Sequence, residues 1–454
     1  MIGAFKKQVG RLPFANRNTP TQIQAFSKDR PNLDQQIAIV NIGQLVTLAG
    51  PARPRIGHEL RELGIIPNAA LLIQDGRIKA AGTNSQIKPL IPPGTAEIDA
   101  GGKCVTPGFV DAHTHLVFAG NRAAEFEQRI AGATYQQIAA AGGGILSTVS
   151  ATRAATEDEL LAESRIHRGW MLRAGTTTIE AKSGYGLDRE AELKMLRVMQ
   201  RLNAGQPAQG ACGPKIVPTL LAAHCLPPEF ASRREEYVRW VADELIPEVA
   251  AAKLAAFCDA FCDDCAFTVD ETRTVLEAAR RNGLRLRLHA EQFRPGTGAA
   301  LAAELGAETC DHLEAADPQT LRLLREAGVQ PVLLPGSVFS LAHSQYPPAR
   351  AMVDEGLAIV IATDFNPGSS PIASMPFVMS LACLQMKLTP AEALAAATFN
   401  AAWSLGLGDA VGSLEPGKQA DLQLHEFSDY RELSYFIAAP ARPRVLIAGC
   451  EAVA

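Results

Sequence analysis

The sequence predicts an α/β protein: a (β/α)8 TIM-like barrel carrying a small β-sandwich domain formed from both termini. Three observations lead there. Short apolar runs alternate with Ala-, Glu- and Arg-rich helical stretches eight times between residues 109 and 405, the pattern of parallel strands joined by crossover helices. Short strands punctuated by Gly and Pro flank that middle on both sides. No Gly-x-Gly-x-x-Gly follows an early strand, which removes the main sign of a doubly wound open sheet.

The organisation follows in order. Residues 1–35 carry Lys6, Lys7, Arg11, Arg17, Lys28 and Arg30 against Asp29 and lack the apolar run of a secretory signal. They read as a flexible tail. The β-sandwich is expected over 36–108 and 406–454, from Ile37–Asn41, Ala70–Gln74, Arg77–Ala81, Ala420–Leu424 and Pro443–Ile447, with breaks at Asp75-Gly76 and Pro92-Pro93. The barrel is expected over 109–405. Its strands read as Phe109–His115, Thr176–Lys182, Lys215–His224, Leu254–Asp259, Arg285–His289, Glu308–His312, Gln330–Pro335 and Leu357–Asp364. Helices are expected at Glu157–Ala174, Asp188–Leu202, Arg233–Ala251, Val269–Asn282, Gly298–Leu305, Pro318–Ala327 and Pro347–Glu355, and Gly142-Gly-Gly144 as a flexible loop.

Composition narrows the function. The chain has 454 residues, of which 47 % are hydrophobic and 20 % charged, as in ordinary globular proteins. A net charge of −5 gives no electrostatic reason for a nucleic-acid or anionic-membrane partner. No apolar run approaches the roughly 20 residues of a membrane helix. Nine scattered cysteines, an odd count, argue for reduced thiols in the cytoplasm rather than a disulfide framework. Cys258, Cys262 and Cys265 have the spacing of an iron–sulfur motif, but they sit in mid-barrel among aspartates and are read as a chance spacing. A homodimer stays open.

The chemistry concentrates at strand ends, where barrel enzymes place their active sites. His113 and His115 end strand one, Lys182 strand two, His224 strand three, His289 strand five, His312 strand six and Asp364 strand eight. Residues i and i+2 on a strand share a face, so His113 and His115 can reach one point. With His289 and Asp364 they make a mononuclear site for one divalent metal, Zn²⁺ or Fe²⁺. Such an ion lowers the pKa of water from ~15.7 to roughly 7. Asp364 can accept a proton from that water and His312 can assist. A carboxylated Lys182 bridging two metals is the alternative. That bridge belongs on strand four, which offers only Asp259, Asp263 and Asp264, so one metal is expected. His58, His167, His343 and His425 gain no role from their positions.

With those residues in view, the chain resembles the amidohydrolase superfamily and, within it, the imidazolonepropionase family. The resemblance covers nearly everything after residue 36. It rests on Pro107–Arg122, Gly142-Gly-Gly-Ile145, Lys182-Ser-Gly-Tyr-Gly-Leu187, Ala223–Glu229, Leu288–Gln292, Asp311-His-Leu-Glu314, Leu333–Gly336 and Ala362–Pro371. It implies hydrolysis of 4-imidazolone-5-propanoate, a small-molecule substrate, to N-formimidoyl-L-glutamate. It gives substrate roles to Arg122, Tyr185, His224 and Gln292, and product contacts to Asn366, Gly368 and Ser369. Arg122 suits the propanoate because a guanidinium fork matches a carboxylate. Many superfamily members carry Glu where this chain has Gln292. An amide cannot titrate, so Gln292 is expected to hydrogen-bond the ring while His312 and Asp364 move protons. A deaminase of a heterocyclic amine would prefer Glu there. A catalytically silent barrel is disfavoured because all four ligand positions are filled.

Overall fold

Both ends of the chain meet in one eight-stranded mixed sheet. The computed structural model describes residues 36–133, 137, 143–204, 213–264, 266–438 and 442–452. The expected tail, Gly142 and Cys265 lie outside the described residues. From the N-terminal side come β1 (Ile37–Val46), β2 (Ile65–Gln74), β3 (Arg77–Thr83), β4 (Ala96–Asp99) and β5 (Cys104–Pro107). The β2–β3 turn is Asp75-Gly76, both at positive φ (53° and 71°), which a tight hairpin requires.

The barrel follows directly: β6 (Phe109–Asp111), β7 (Thr176–Lys182), β8 (Lys215–Ala223), β9 (Phe257–Cys262), β10 (Arg285–Ala290), β11 (Thr309–His312), β12 (Gln330–Leu333) and β13 (Val360–Ile361). Then β14 (Leu422–Leu424), β15 (Arg444–Ile447) and β16 (Cys450–Glu451) return to the first sheet, β14 pairing antiparallel with β5. These outer strands form one mixed sheet in the order β16-β15-β14-β5-β1-β2-β3, with β4 pairing β1 beside that path. The path folds over on itself: Ile78 N–H donates to Lys418 C=O at 2.9 Å, beside β14. Ile39, Leu71, Ile78, Leu422 and Leu446 share the resulting apolar core.

Strands β6 to β13 are all parallel in sequential order. The seam between β6 and β13 closes just beyond the strand ends. Thr114 bridges Phe365 in parallel, Asp364 N–H donates to His113 C=O at 3.0 Å, and His115 N–H donates to Phe365 C=O at 2.9 Å. Asp111, wholly buried, accepts from the Thr363 N–H (3.1 Å) and hydroxyl (2.6 Å).

The outer helices start where their caps dictate. Thr156 with Glu159 opens Glu157–Arg173, Thr268 with Glu271 opens Val269–Arg281, and Asp317 opens Pro318–Ala327, which stops at left-handed Gly328. The stretch expected as one helix, Arg233–Ala251, is Arg234–Trp240 and Ile246–Ala251 joined by a π-helical turn at Val241–Leu245. Pro247 cannot donate and crowds the preceding turn, which the wider turn relieves. Strand four runs Phe257–Cys262, three residues later than the expected Leu254–Asp259. Asp259 therefore lies inside the strand, not at its end. Helices Ala123–Ile130, Ile145–Ala154, Met375–Met386, Pro390–Ala396 and Phe399–Ser404 were not anticipated. Among the described residues, no helix is long and apolar enough to cross a membrane.

Glu392 ties the two parts together. Its carboxylate, without solvent exposure, accepts from Arg61 Nε (2.9 Å), Arg350 Nη1 (3.0 Å) and the Thr389 N–H (2.7 Å). Burial opposes its ionisation, but Arg350, the Thr389 N–H and Arg61 hold it at about 2. A depressed carboxylate stabilises the fold above its unfolded pKa of about 4.3 and loses that contribution as pH falls toward its folded value. Glu392→Gln should lower stability at pH 7 by about 1.5–3 kcal/mol and flatten the acid-side fall in Tm between about pH 4.5 and 2. Thermal unfolding across that range checks both; an unchanged profile would remove Glu392 from the interface.

Candidate active site

The seam that closes the barrel also assembles the metal-ligating cluster. His113 and His115 leave β6 on one side and Asp364 leaves β13 on the other, so the seam's backbone bonds fix three of the expected ligands. His289 comes from β10, two strands before β12. The imidazoles of His113, His115 and His289 offer ring nitrogens within 4.8 Å of one another, all buried. Asp364 Oδ1 lies 3.6 Å from His113 Nε2 and 3.5 Å from His115 Nε2. Tetrahedral ligands about 2.0–2.1 Å from zinc stand roughly 3.4 Å apart, so this spacing fits one shared cation. The Nε2 atoms of His113 and His289 are buried without a hydrogen-bond partner, a costly arrangement unless a ligand satisfies them. The donor set fits a divalent metal.

Electrostatics agree. Burial, then Lys182 and His289, holds His113 well below its ordinary value. Burial, then His224 and His289, does the same for His115, and burial lowers His289 although Asp259 opposes it. Neutral imidazoles are the ligand form. Burial pushes Asp364 up to about 7 while His312 pulls it down; a carboxylate so placed gains most from a cation.

Beneath the cluster the barrel interior holds charges where aliphatic layers usually sit. Glu180, Lys182, Asp259, Arg287 and Asp311 are all fully buried. Lys182 Nζ donates to Asp259 Oδ2 (2.7 Å) and Glu180 Oε1 (3.0 Å). Arg287 Nη2 donates to the Ala112 carbonyl (2.8 Å) and lies 3.3 Å from Asp311 Oδ2. Asp311 Oδ2 in turn sits 2.6 Å from His113 Nδ1. A carboxylate only accepts, so Nδ1 carries the proton and Nε2 is presented to the cluster. His289 Nδ1 lies 3.0 Å from Asp259 Oδ2, close but out of hydrogen-bond alignment. Lys182, the candidate bridge between two metals, is thus held in an ion-paired role below the site. Burial opposes its charge, but Asp259 and Glu180 raise its pKa, so it stays an ammonium.

One flank of the cluster is basic and aromatic. Tyr185 lies 5.7 Å from His115 and 5.5 Å from His224 by ring centroids, and the His115 and His224 rings stack at 5.2 Å. His224 Nδ1 donates to the Gly184 carbonyl at 2.9 Å; burial, then His289, brings the ring down to about 3. Glu192 shapes the Lys182–Leu187 loop by accepting from the N–H groups of Gly184 (3.1 Å), Gly186 (2.8 Å) and Leu187 (2.8 Å). Gly184 is needed there: φ is 100°, and a Cβ would lie 2.8 Å from the Leu221 carbonyl. Arg122 donates from Nε to Thr148 Oγ1 at 3.1 Å, and its Nη1 lies 3.9 Å from Glu125 Oε2. Its guanidinium lies flat against Gly368, where a Cβ would stand 2.4 Å from Cζ. Asn366 Oδ1 accepts from the N–H groups of Gly368 (2.8 Å) and Ser369 (2.7 Å), and its Nδ2 donates to the Asp364 carbonyl (2.6 Å) and Ser369 Oγ (2.9 Å). Its side chain is spent on shaping this loop, and Gly368 and Ser369 are the half-buried members of the group.

The other flank is acidic. His312 and Leu313 take left-handed φ values of 81° and 65°, turning the chain sharply at a cost of order 1 kcal/mol or more per residue. That turn brings Glu314 Oε1 to 3.3 Å from His312 Nδ1. Burial would lower His312, but Glu314 and Asp364 raise it above its ordinary value. Gln292 lies past the end of β10, its backbone N–H held by Asp263 Oδ2 at 3.1 Å. With Glu314 and Ser344 it lines a cavity of about 360 Å³.

The sequence reading missed Asp311, Glu180, Arg287, Glu192 and Glu314. A charge at an inward strand position was the available signal for the first three, and Asp311-His-Leu-Glu314 for the last. His167 packs on Phe118 and bonds the Leu116 carbonyl, and His425 stacks on Phe427, as their lack of an assigned role implies. Cys258 and Cys262 stand four residues apart on β9, about 13 Å along a strand, so they cannot share an iron–sulfur cluster.

The amidohydrolase family matches residues 104–442 of this chain. A protein named imidazolonepropionase from Solibacter usitatus is 54 % identical over 412 residues, spanning 91 % of this chain and 97 % of its own. The chain belongs to the amidohydrolase family, among the imidazolonepropionases. A second protein of that name, from Geobacillus kaustophilus, is 47 % identical over 397 residues, covering 87 % of this chain and 92 % of its own. In fold, the chain is similar to a zinc-bound adenosine deaminase from Xanthomonas campestris (TM-score 0.66, 20 % identity, 93 % of each chain). At that identity the likeness speaks for the fold alone.

Two outcomes follow from this geometry. Asp311→Asn should keep the fold by circular dichroism yet bind metal about 10–100-fold more weakly in chelator competition, because His113 loses its orienting carboxylate. Unchanged affinity would place Asp311 in a packing role. Gly368→Ala should displace the Arg122 guanidinium while leaving metal content intact. A crystal structure of the variant with Arg122 in place would contradict this.

Proposed function

We propose that this chain hydrolyses 4-imidazolone-5-propanoate to N-formimidoyl-L-glutamate in histidine degradation, with Zn²⁺ or Fe²⁺ held by His113, His115, His289 and Asp364. The observation that carries the reading is Arg122, a guanidinium lying against Gly368 and bonded to Thr148 on the flank that holds Tyr185. A propanoate brought to this buried rim needs a charged partner, and a guanidinium fork supplies one. The bound cation would supply Lewis acidity and make water acidic enough to ionise near neutral pH.

The chain's residues do the rest. Arg122 and Tyr185 hold the carboxylate tail. His224, with its Nδ1 proton committed to Gly184, offers Nε2 to the substrate. Gln292 hydrogen-bonds the ring. Asp364, raised toward neutrality by burial, accepts the proton of the attacking water. His312, whose proton affinity Glu314 and Asp364 raise against burial, donates to the carbonyl oxygen as charge develops there. The ring nitrogen leaves protonated, and Asn366, Gly368 and Ser369 frame the product. Free thiols at Cys104, Cys258 and Cys310 suit a reducing compartment, and we place the enzyme in the cytoplasm.

The purified protein should carry about one equivalent of metal and release formimidoylglutamate, not ammonia, from imidazolonepropanoate. Ammonia release would favour a deaminase, and two equivalents of metal would overturn the mononuclear site. His312→Ala should retain metal and lose about 10²-fold or more in kcat. Arg122→Lys should lower kcat/KM roughly ten-fold or more, and an unaffected value would send the propanoate elsewhere.

A further inference from the structure

We propose that Glu314 binds the amidine end of the substrate and product, making it the residue that orients the ring opposite Arg122. The inference rests on the hydrolysis proposed above and adds a binding group to it. Glu314 is 6 % exposed, and its two oxygens have different fates. Oε1 faces His312 Nδ1 at 3.3 Å. Oε2 is buried with no partner, which is costly for a carboxylate oxygen unless something is meant to donate to it.

Glu314 lines the cavity of about 360 Å³ together with Gln292, Phe293, His343, Ser344 and Gln345. The cavity wall is fastened to it, since Gln345 Nε2 donates to the Glu314 carbonyl at 2.8 Å. None of the lining residues is an expected metal ligand; the cavity meets the site through Glu314, which stands beside His312. Arg122 lies on the other flank with Tyr185 and His115. The site therefore offers a guanidinium on one flank, with Glu125 Oε2 3.9 Å from it, and the half-satisfied Glu314 carboxylate on the other.

The reactants have the matching polarity. Hydrolysis adds the water oxygen to the ring carbonyl carbon, breaks its bond to the ring nitrogen and delivers both water protons to that nitrogen. The carbonyl becomes a carboxylate, and the freed nitrogen becomes the end of a formamidinium cation. With the propanoate at Arg122, the amidine points away from it. A carboxylate waiting there stabilises the charge that develops as the bond breaks, through a charge-assisted hydrogen bond.

The test compares inhibition by N-formimidoyl-L-glutamate and N-formyl-L-glutamate, which differ in a cationic nitrogen against a neutral oxygen. The native enzyme should prefer the formimidoyl compound roughly ten-fold or more. In Glu314→Gln the preference should shrink to about two-fold, through loss of the cationic ligand's affinity, with the formyl compound and metal content unchanged. Glu314→Asp should fall between the two and stands in if Glu314→Gln does not fold. A preference surviving either substitution, or absent from the native enzyme, overturns the proposal. Failure of the native enzyme to make formimidoylglutamate would instead sink the underlying reaction, so the two failures are distinguishable.

Discussion

Everything at the rim depends on a block of buried charge under it. Two cations, Lys182 and Arg287, sit among three carboxylates, Glu180, Asp259 and Asp311, all without solvent exposure. Taking such groups out of water costs several kcal/mol per ion after relaxation, so the block is a poor source of net stability. What it supplies is direction. Asp311 and Asp259 reach the Nδ1 sides of His113 and His289, and the two cations keep those carboxylates where they are. His113 is aimed by a hydrogen bond to Asp311, and His289 lies against Asp259, both carboxylates held by buried cations.

The backbone applies a second constraint at the same place. The barrel closes at Thr114–Phe365, within the residues that carry His113, His115 and Asp364. Closing the sheet and assembling the ligands are one event. Left-handed φ values at Asp364 (54°), His312 and Leu313 show the chain turning off the rim as soon as each side chain has been delivered. Strain of this kind persists only where surrounding bonds over-determine it, and here Asp111, Thr363 and Asn366 provide them.

Two flanks of different character frame the cluster. The glycines of the Lys182–Leu187 and Asn366–Ser369 loops bring backbone and guanidinium closer than any Cβ would permit, setting a cationic side near Tyr185. The tight turn after β11 sets an anionic side at Glu314.

The sequence alone determined the barrel, the strand order and the four metal-ligand candidates. Those signals are local: apolar periodicity marks strands, and a histidine two residues from another shares its face whatever else the chain does. Motif resemblance likewise located Arg122, Tyr185, His224 and Gln292. Tertiary structure alone decided what supports them. Asp311 reads as the neighbour of a histidine, yet its partner His113 is 198 residues away. Asp259 read as the end of a strand until the register of β9 moved it inside the barrel. Lys182 read as a candidate metal bridge until Glu180 and Asp259 were found to hold it. Charges in a barrel interior find their partners across strands, through a pairing register that no single stretch of sequence encodes.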